Sequence, residues 1–250
     1  GSVDAFVEKM NARDQELGCT NTVFTNPTGL PDDNQHTTAH DLALIMKAAI
    51  NTDGFRTIAG ATSYTIPATN VSGGARNLTS SFPMTNTTSA SYYSGCIGGR
   101  ESTTTASGSV LVTAAERNNT TLICVVMNGA TGQPATEAVS LLDYGFNNFQ
   151  LLDLNQEDFH ILSGGQVMVP SGATAADLAT EDSVSDGQIN RTYTFGGTQV
   201  GTAVIEDTSD TSASDAQEND ENMEEAKAFS QSASSVPYFL IGGAGLLILV

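Results

Sequence analysis

Residues 95–129 read GCIGGRESTTTASGSVLVTAAERNNTTLICVVMNG, and this stretch decides the fold class. Three strand-like runs stand in it: Gly95–Glu101, Gly108–Glu116 and Thr121–Met127, the last two dense in Val, Leu, Ile and Thr. Asn118-Asn119 between those two suits a tight hairpin turn, because asparagine tolerates the positive φ that such turns require. Helical periodicity surrounds the strands. Downstream, ATEAVSLLDYGFNNF repeats through Val139, Leu142 and Phe146. Upstream, Ser2 caps a helix whose face is Val3, Phe6, Val7, Met10 and Leu17, with Gly18 as its stop. Thr38 caps a second helix, with Asp41 at the reciprocal position of a capping-box variant, an inner stripe of Leu42, Ile45, Met46 and Ala49, and Gly54 at its end. Between the helices, Asn26-Pro27-Thr28-Gly29 fits a type I turn. Residues 62–67 form a further strand, and 69–91 a long polar excursion. The consistent architecture is α+β, an antiparallel sheet with packed helices.

Past residue 150 the texture changes to short strands separated by Gly and Pro, and Gly196-Gly197 between RTYTF and TQVGTAVIE is a two-residue hairpin signal. Residues 150–206 are read as a small all-β module. From Glu206 to Glu225 there are nine acidic residues and no basic one, so 207–235 reads as a solvated, self-repelling linker. The last fifteen residues, VPYFLIGGAGLLILV, are apolar throughout. They are short of the roughly 20 needed for a bilayer-spanning helix, and 236–250 is expected to be a truncated membrane-anchor helix on a tether, with the membrane as its partner.

Charge excludes one class of partner. With 28 acidic and 9 basic residues the formal net charge is −19, and no basic footprint for a phosphate backbone exists. Nucleic-acid binding is therefore not expected. Cys19, Cys96 and Cys124 have no metal-ligand spacing and are read as separate thiols, one pair of which could form a disulfide outside the membrane. His36 and His40 lack a third ligand converging in sequence and read as solvent-exposed or capping residues. Sequons such as Asn70, Asn77, Asn86 and Asn190 follow from a Thr- and Asn-rich composition.

Several segments together resemble one family. FVEKMNARDQELGCTNTVFTNPTGLPDDNQHTTAHDLALIMKAAI is similar to the second half of the peptidase domain of serine D-Ala-D-Ala carboxypeptidases, the low-molecular-mass penicillin-binding proteins of peptidase family S11. GCIGGRESTTTASGSVLVTAAERNNTTLICVVMNG resembles that family's Lys-Thr-Gly strand and the two strands after it, and LLDYGFNNF the helix that closes the domain. The resemblance covers roughly residues 1–205. It implies a partial penicillin-binding, β-lactamase-like transpeptidase fold over 1–149, followed by the β-rich domain, the linker and the anchor. It also implies removal of the terminal D-Ala from peptidoglycan stem peptides at the extracytoplasmic face of a bacterial membrane. No cofactor is implied, because a serine acyl-enzyme mechanism needs none.

The family's chemistry uses a serine activated by a lysine in Ser-x-x-Lys, a second Ser-x-Asn motif, and the Lys-Thr-Gly strand along the substrate. No serine in this sequence has lysine three positions later or asparagine two positions later, so no catalytic residue is assigned. In the family both motifs lie upstream of the helix with which this chain starts. The Lys-Thr-Gly position is present: Gly98-Gly99 before it, and Thr104 and Gly108 after it, put Arg100, Glu101 and Ser102 there. Arginine keeps the cation in a bulkier, planar form. Glu101 puts an acceptor-only anion where the family has a hydroxyl. Against a substrate carboxylate ~4 Å away that costs about 1 kcal/mol in water and several in a drier cleft. Ser102 adds a side chain where glycine leaves clearance. Weak or lost stem-peptide binding is expected, and no hydrolysis by this chain alone. The alternatives are a non-catalytic wall-associated binding or scaffolding protein of the same fold, or a fragment without independent function.

Overall fold

The computed structural model describes residues 1–156, 160–185, 188–206, 238–241 and 245–249. Helix α1 (Val3–Glu16) starts where Ser2 leaves its oxygen free to accept the Ala5 N–H at 3.1 Å, and ends before Gly18, whose φ is 83°. Its apolar stripe is less covered than the periodicity predicts. Val3 is 63% and Phe6 55% exposed, and the residue it buries is Asp14. Helix α2 (Ala39–Ile50) is capped by Thr38, whose hydroxyl accepts the Asp41 N–H at 3.1 Å. The deepest face of α2 is Ala43, Met46 and Ile50, rotated from the expected stripe of Leu42, Ile45, Met46 and Ala49. The rotation follows from its seat on the sheet, and the buried side of that seat also holds Asp41.

After the five-residue α3 (Phe55–Ala59) come two short strands, β1 (Ser63–Ile66) and β2 (Arg76–Thr79), paired antiparallel. The strand β2 lies inside the stretch expected to be an irregular excursion. All four of its residues are exposed, so it carries no apolar alternation that periodicity could detect.

The three runs that open the sequence reading become β3 (Cys96–Thr104), β4 (Gly108–Arg117) and β5 (Thr120–Gly129), a continuous antiparallel meander. Asn118 and Asn119 take φ of 49° and 61°, the left-handed pair that matches the twist of a two-residue hairpin. Leu111, Ala114 and Ala115 on β4 and Leu122 to Val126 on β5 are fully buried and form the centre of the core. Helix α2 packs on both strands. Helix α4 (Pro134–Asn148) adds Ala135, Ala138 and Leu142 to the buried set.

The described residues divide into two compact units, Gly1–Phe146 with Tyr238–Val250, and Asn147–Pro237. The second holds β6 (Phe149–Asp153), β7 (Ile161–Gly164), β8 (Gln166–Pro170), β9 (Ala179–Ser185), β10 (Gln188–Phe195) and β11 (Thr198–Ile205). These strands form a four-stranded antiparallel sheet in the order β7-β11-β10-β9 and a separate pair, β6-β8. Its core is Leu154, Val167, Val169, Tyr193, Val200, Ala203 and Ile205. Gly196 and Gly197 turn the β10–β11 hairpin with φ of 56° and 82°.

The tail expected as a helix is extended wherever it is described: β12 (Tyr238–Ile241) and β13 (Gly245–Leu249) pair antiparallel, and β13 pairs with β5. The sheet of the first unit then runs β12-β13-β5-β4-β3. An apolar run broken by glycines satisfies its backbone on an open sheet edge as well as in a helix, and periodicity does not separate the two. No helix among the described residues is long and apolar enough to cross a membrane. The expected linker, 207–235, lies outside the described residues.

Candidate functional site

Strand β3 is the end strand of its sheet among the described residues, and its two halves differ. The first half is covered. Gly98 has a φ of 146°, and a Cβ there would sit 2.7 Å from the carbonyl carbon of Ala59. A Cβ on Gly99 would sit 2.7 Å from Cζ of Phe82. The glycine pair thus lets the C-terminal end of α3 and the Phe82 ring close on the strand. The register slips between Cys96 and Gly98, and the buried Thr113 hydroxyl pins that bulge by donating to the Gly98 carbonyl at 3.0 Å.

The second half is uncovered. Arg100, Ser102 and Thr103 are exposed, and Glu101 is half-buried. They pair across the strand with Val112 (Arg100), Leu111 (Glu101), Val110 (Ser102) and Ser109 (Thr103). Among the described residues none of Arg100, Glu101 and Ser102 has a side-chain hydrogen bond or ion pair. Consecutive strand positions alternate faces, so Arg100 and Ser102 project on one side and Glu101 on the other. Hydroxyls hold the far end of this half: Thr103 and Ser109 Oγ atoms are 2.6 Å apart, and Thr104 Oγ1 accepts the Ser107 N–H at 3.0 Å. The three residues placed by sequence at one recognition position are therefore contiguous on a fixed, open edge.

An open cavity of about 480 Å³ lies at the opposite end of β3, lined by Arg56, Gly60, Gly95, Ile97 and Glu116. Arg56 Nη1 and Glu116 Oε2 are 2.7 Å apart across it. The cavity does not include Arg100, Glu101 or Ser102.

A second polar cluster, which sequence reasoning missed, joins α1 and α2. Asp41 Oδ2 accepts the Asn21 N–H at 2.9 Å and the Thr22 hydroxyl at 2.7 Å, so the carboxylate turns away from the reciprocal capping role expected of it. Burial pushes its carboxyl up, but hydrogen bonds from Thr22, Asn21, His40 and Thr38 outweigh this and hold it below the usual range. Asp14 is 4% exposed, and its Oδ2 has no hydrogen-bond partner among the described residues. Burial first, then the charge of Asp41, raise its carboxyl. Cys19 lies beside both, and burial followed by Asp14 and Asp41 pushes its thiol up to about 12. Cys124 is also pushed up to about 12, by burial and then Glu137. All three cysteines are free, and thiols so raised are poor nucleophiles. Nothing in the linear pattern marks Asp14, which looks like one more acid on a polar helix face.

His36 Nδ1 sits 3.0 Å from the Asn34 carbonyl, and His40 Nδ1 3.4 Å from Asp41 Oδ1. No group of three or more His, Cys, Asp and Glu able to hold a metal ion is found among the described residues.

The antiparallel sheet with helices packed on it matches the fold of penicillin-binding proteins and DD-carboxypeptidases. Penicillin binding protein 5 from Haemophilus influenzae superposes with a TM-score of 0.61 over 80% of this chain and 64% of its own, at 23% identity, a likeness of fold alone. A D-alanyl-D-alanine carboxypeptidase from Mycobacterium tuberculosis H37Rv superposes with a TM-score of 0.51 at 32% identity, over 58% of this chain and 55% of its own. The curated D-alanyl-D-alanine carboxypeptidase DacB2 of that organism is 34% identical over 152 residues, 58% of this chain and 50% of the relative. DacF of Bacillus subtilis is 38% identical over 60 residues, 24% and 15% of the two chains. The D-alanyl-D-alanine carboxypeptidase model of peptidase family S11 matches residues 1–131. The chain belongs to that family. It spans half or less of the length of these curated relatives.

Proposed function

We propose that this chain contributes the peptide-lining edge of a D-Ala-D-Ala carboxypeptidase fold and that, by itself, it binds extended peptide without cleaving it. The observation that carries this reading is the free half of β3, with Arg100, Glu101 and Ser102 where the family has Lys-Thr-Gly. An end strand offers unpaired N–H and C=O groups to which an extended peptide adds as a further strand. The family role is hydrolysis of the terminal D-Ala of peptidoglycan stem peptides through a serine acyl-enzyme. Neither Ser-x-x-Lys nor Ser-x-Asn occurs in these residues, so the acyl-enzyme has no nucleophile here.

Labelled penicillin tests the catalytic half of this reading. The expected result is no covalent adduct, seen as an unchanged intact mass. A penicilloyl mass increment would overturn it. Retention of an uncharged extended peptide on the immobilised chain tests the binding half, and a null result would leave a fragment without independent function. Retention of stem peptide is expected to be weak or lost, because Glu101 opposes its terminal carboxylate. A non-catalytic, wall-associated binding role is the second reading, and the same free edge favours it.

Membrane association through 236–250 belongs to the same proposal, placing the chain on the outer face of a bacterial membrane. Composition supports it, fifteen uncharged residues behind an acidic run, rather than backbone conformation. Co-sedimentation of the full chain with phospholipid vesicles checks it, and recovery entirely in the supernatant would sink it. The remaining divisions, a partial catalytic domain at 1–149 and a β-rich domain at 150–206, follow from the same family layout.

A further inference from the structure

Arg100 and Glu101 are adjacent and oppositely charged, on the free half of an end strand, and neither is paired among the described residues. Their cross-strand neighbours are Val112 and Leu111, so β4 offers neither of them a counter-charge. Their neighbours two positions away on the same faces are Gly98 and Ser102 for Arg100, and Gly99 and Thr103 for Glu101, all uncharged. Among the described residues, the only side from which either charge can be complemented along the sheet is the open edge. Half-burial beside the fully buried Leu111 makes Glu101 the more demanding of the two, because a charge out of water interacts more strongly with its neighbours.

Resting on the reading that this edge binds peptide, we infer that Arg100 and Glu101 select its charge order: a basic residue followed directly by an acidic one. The direction follows from geometry. Every neighbouring pair in this sheet is antiparallel, and antiparallel pairing is the slightly more stable kind per residue. In an added antiparallel strand, the residue opposite Glu101 precedes the residue opposite Arg100. Successive residues of that strand also alternate faces, so Lys meets Glu101 on one face and Glu meets Arg100 on the other. Reversing the order to Glu-Lys sets like charges opposite each other on both faces, which is destabilising. The family position, with one cation and a neutral hydroxyl, has no such order built in.

Three capped hexapeptides test this on the full chain at low ionic strength: acetyl-Thr-Val-Lys-Glu-Val-Thr-amide, its Glu-Lys counterpart, and a neutral Thr-Thr version. Fluorescence anisotropy of labelled peptides gives the affinities. The Lys-Glu peptide is expected to bind about 5-fold tighter than the Glu-Lys peptide, with the neutral one between, as two cross-strand charge pairs would produce. Added salt should shrink the difference. The double exchange Arg100→Glu with Glu101→Arg should invert the order, and Glu101→Gln alone should narrow it, each after circular dichroism shows the wild-type fold. Equal binding of both charged peptides, or an order unchanged by the double exchange, overturns the selectivity while leaving peptide binding intact. Binding of none of the three overturns both readings, and assigns the two charges to keeping the edge unpaired.

Discussion

Asp14 sits in the last turn of α1, where a negative charge opposes the helix dipole, and it buries an oxygen that has no partner among the described residues. Asp41 has the same side chain in the same region, yet the Asn21 N–H and Thr22 hydroxyl stabilise its ionised form. The two therefore act on stability in opposite directions with pH. Asp41, held low, contributes stability above the unfolded value of about 3.9 that is lost as pH falls through its folded value. Asp14, held high, favours the folded state when protonated, and that benefit is lost as pH rises from about 3.9 through its folded value. Asp14→Ala removes the uncompensated charge and installs the best helix former. It should stabilise the protein by about 1 kcal/mol at pH 7, roughly 2–4 °C in Tm. Thermal melts from pH 7 to pH 4 should show that advantage shrinking. A variant less stable than wild type at pH 7 would mean that Asp14 has a partner in solution. Spacing alone separates none of this, since both residues read as ordinary helix acids and only the approach of the chain at residues 19–22 distinguishes them.

Strands β3, β4 and β5 were legible because their signal is local: β-branched and apolar runs, with an asparagine pair at the turn. Asn119→Gly should strengthen that turn by about 0.5 kcal/mol, because glycine takes the left-handed conformation at no steric cost. A lower midpoint in urea unfolding would contradict the turn geometry. Gly98 carries the opposite lesson. In the sequence it serves only to align the recognition position, whereas the structure uses it to admit the backbone of α3. Gly98→Ala should destabilise by about 1–3 kcal/mol, since a Cβ there must displace backbone at a strained φ. A variant with wild-type stability would show that α3 can withdraw from the strand. The strand β2 and the acidic β9, exposed at every residue, were missed for one reason: pairing to a neighbour defines them, without any buried face.

At the scale of the molecule, the net charge of −19 makes self-repulsion a standing cost to the compact state. Raising NaCl from about 10 mM to 200 mM shortens the screening length from about 30 Å to below 10 Å. Thermal stability should rise over that range, and a flat or falling Tm would show that attractive ion pairs such as Arg56–Glu116 and Arg191–Asp182 dominate instead. The sequence by itself determined the α+β class, the meander at 95–129 and the family, because each is encoded in contiguous runs of chain. Tertiary structure alone decided which face of α2 is buried, that α3 closes on Gly98, that the apolar tail extends along β5, and that Asp14 and Asp41 meet. Those outcomes depend on which distant segments pack together. The same short apolar run or acidic residue is compatible with several environments until its neighbours are fixed, and Arg100 and Glu101 acquire their shared open edge only once β3 has become the end of the sheet.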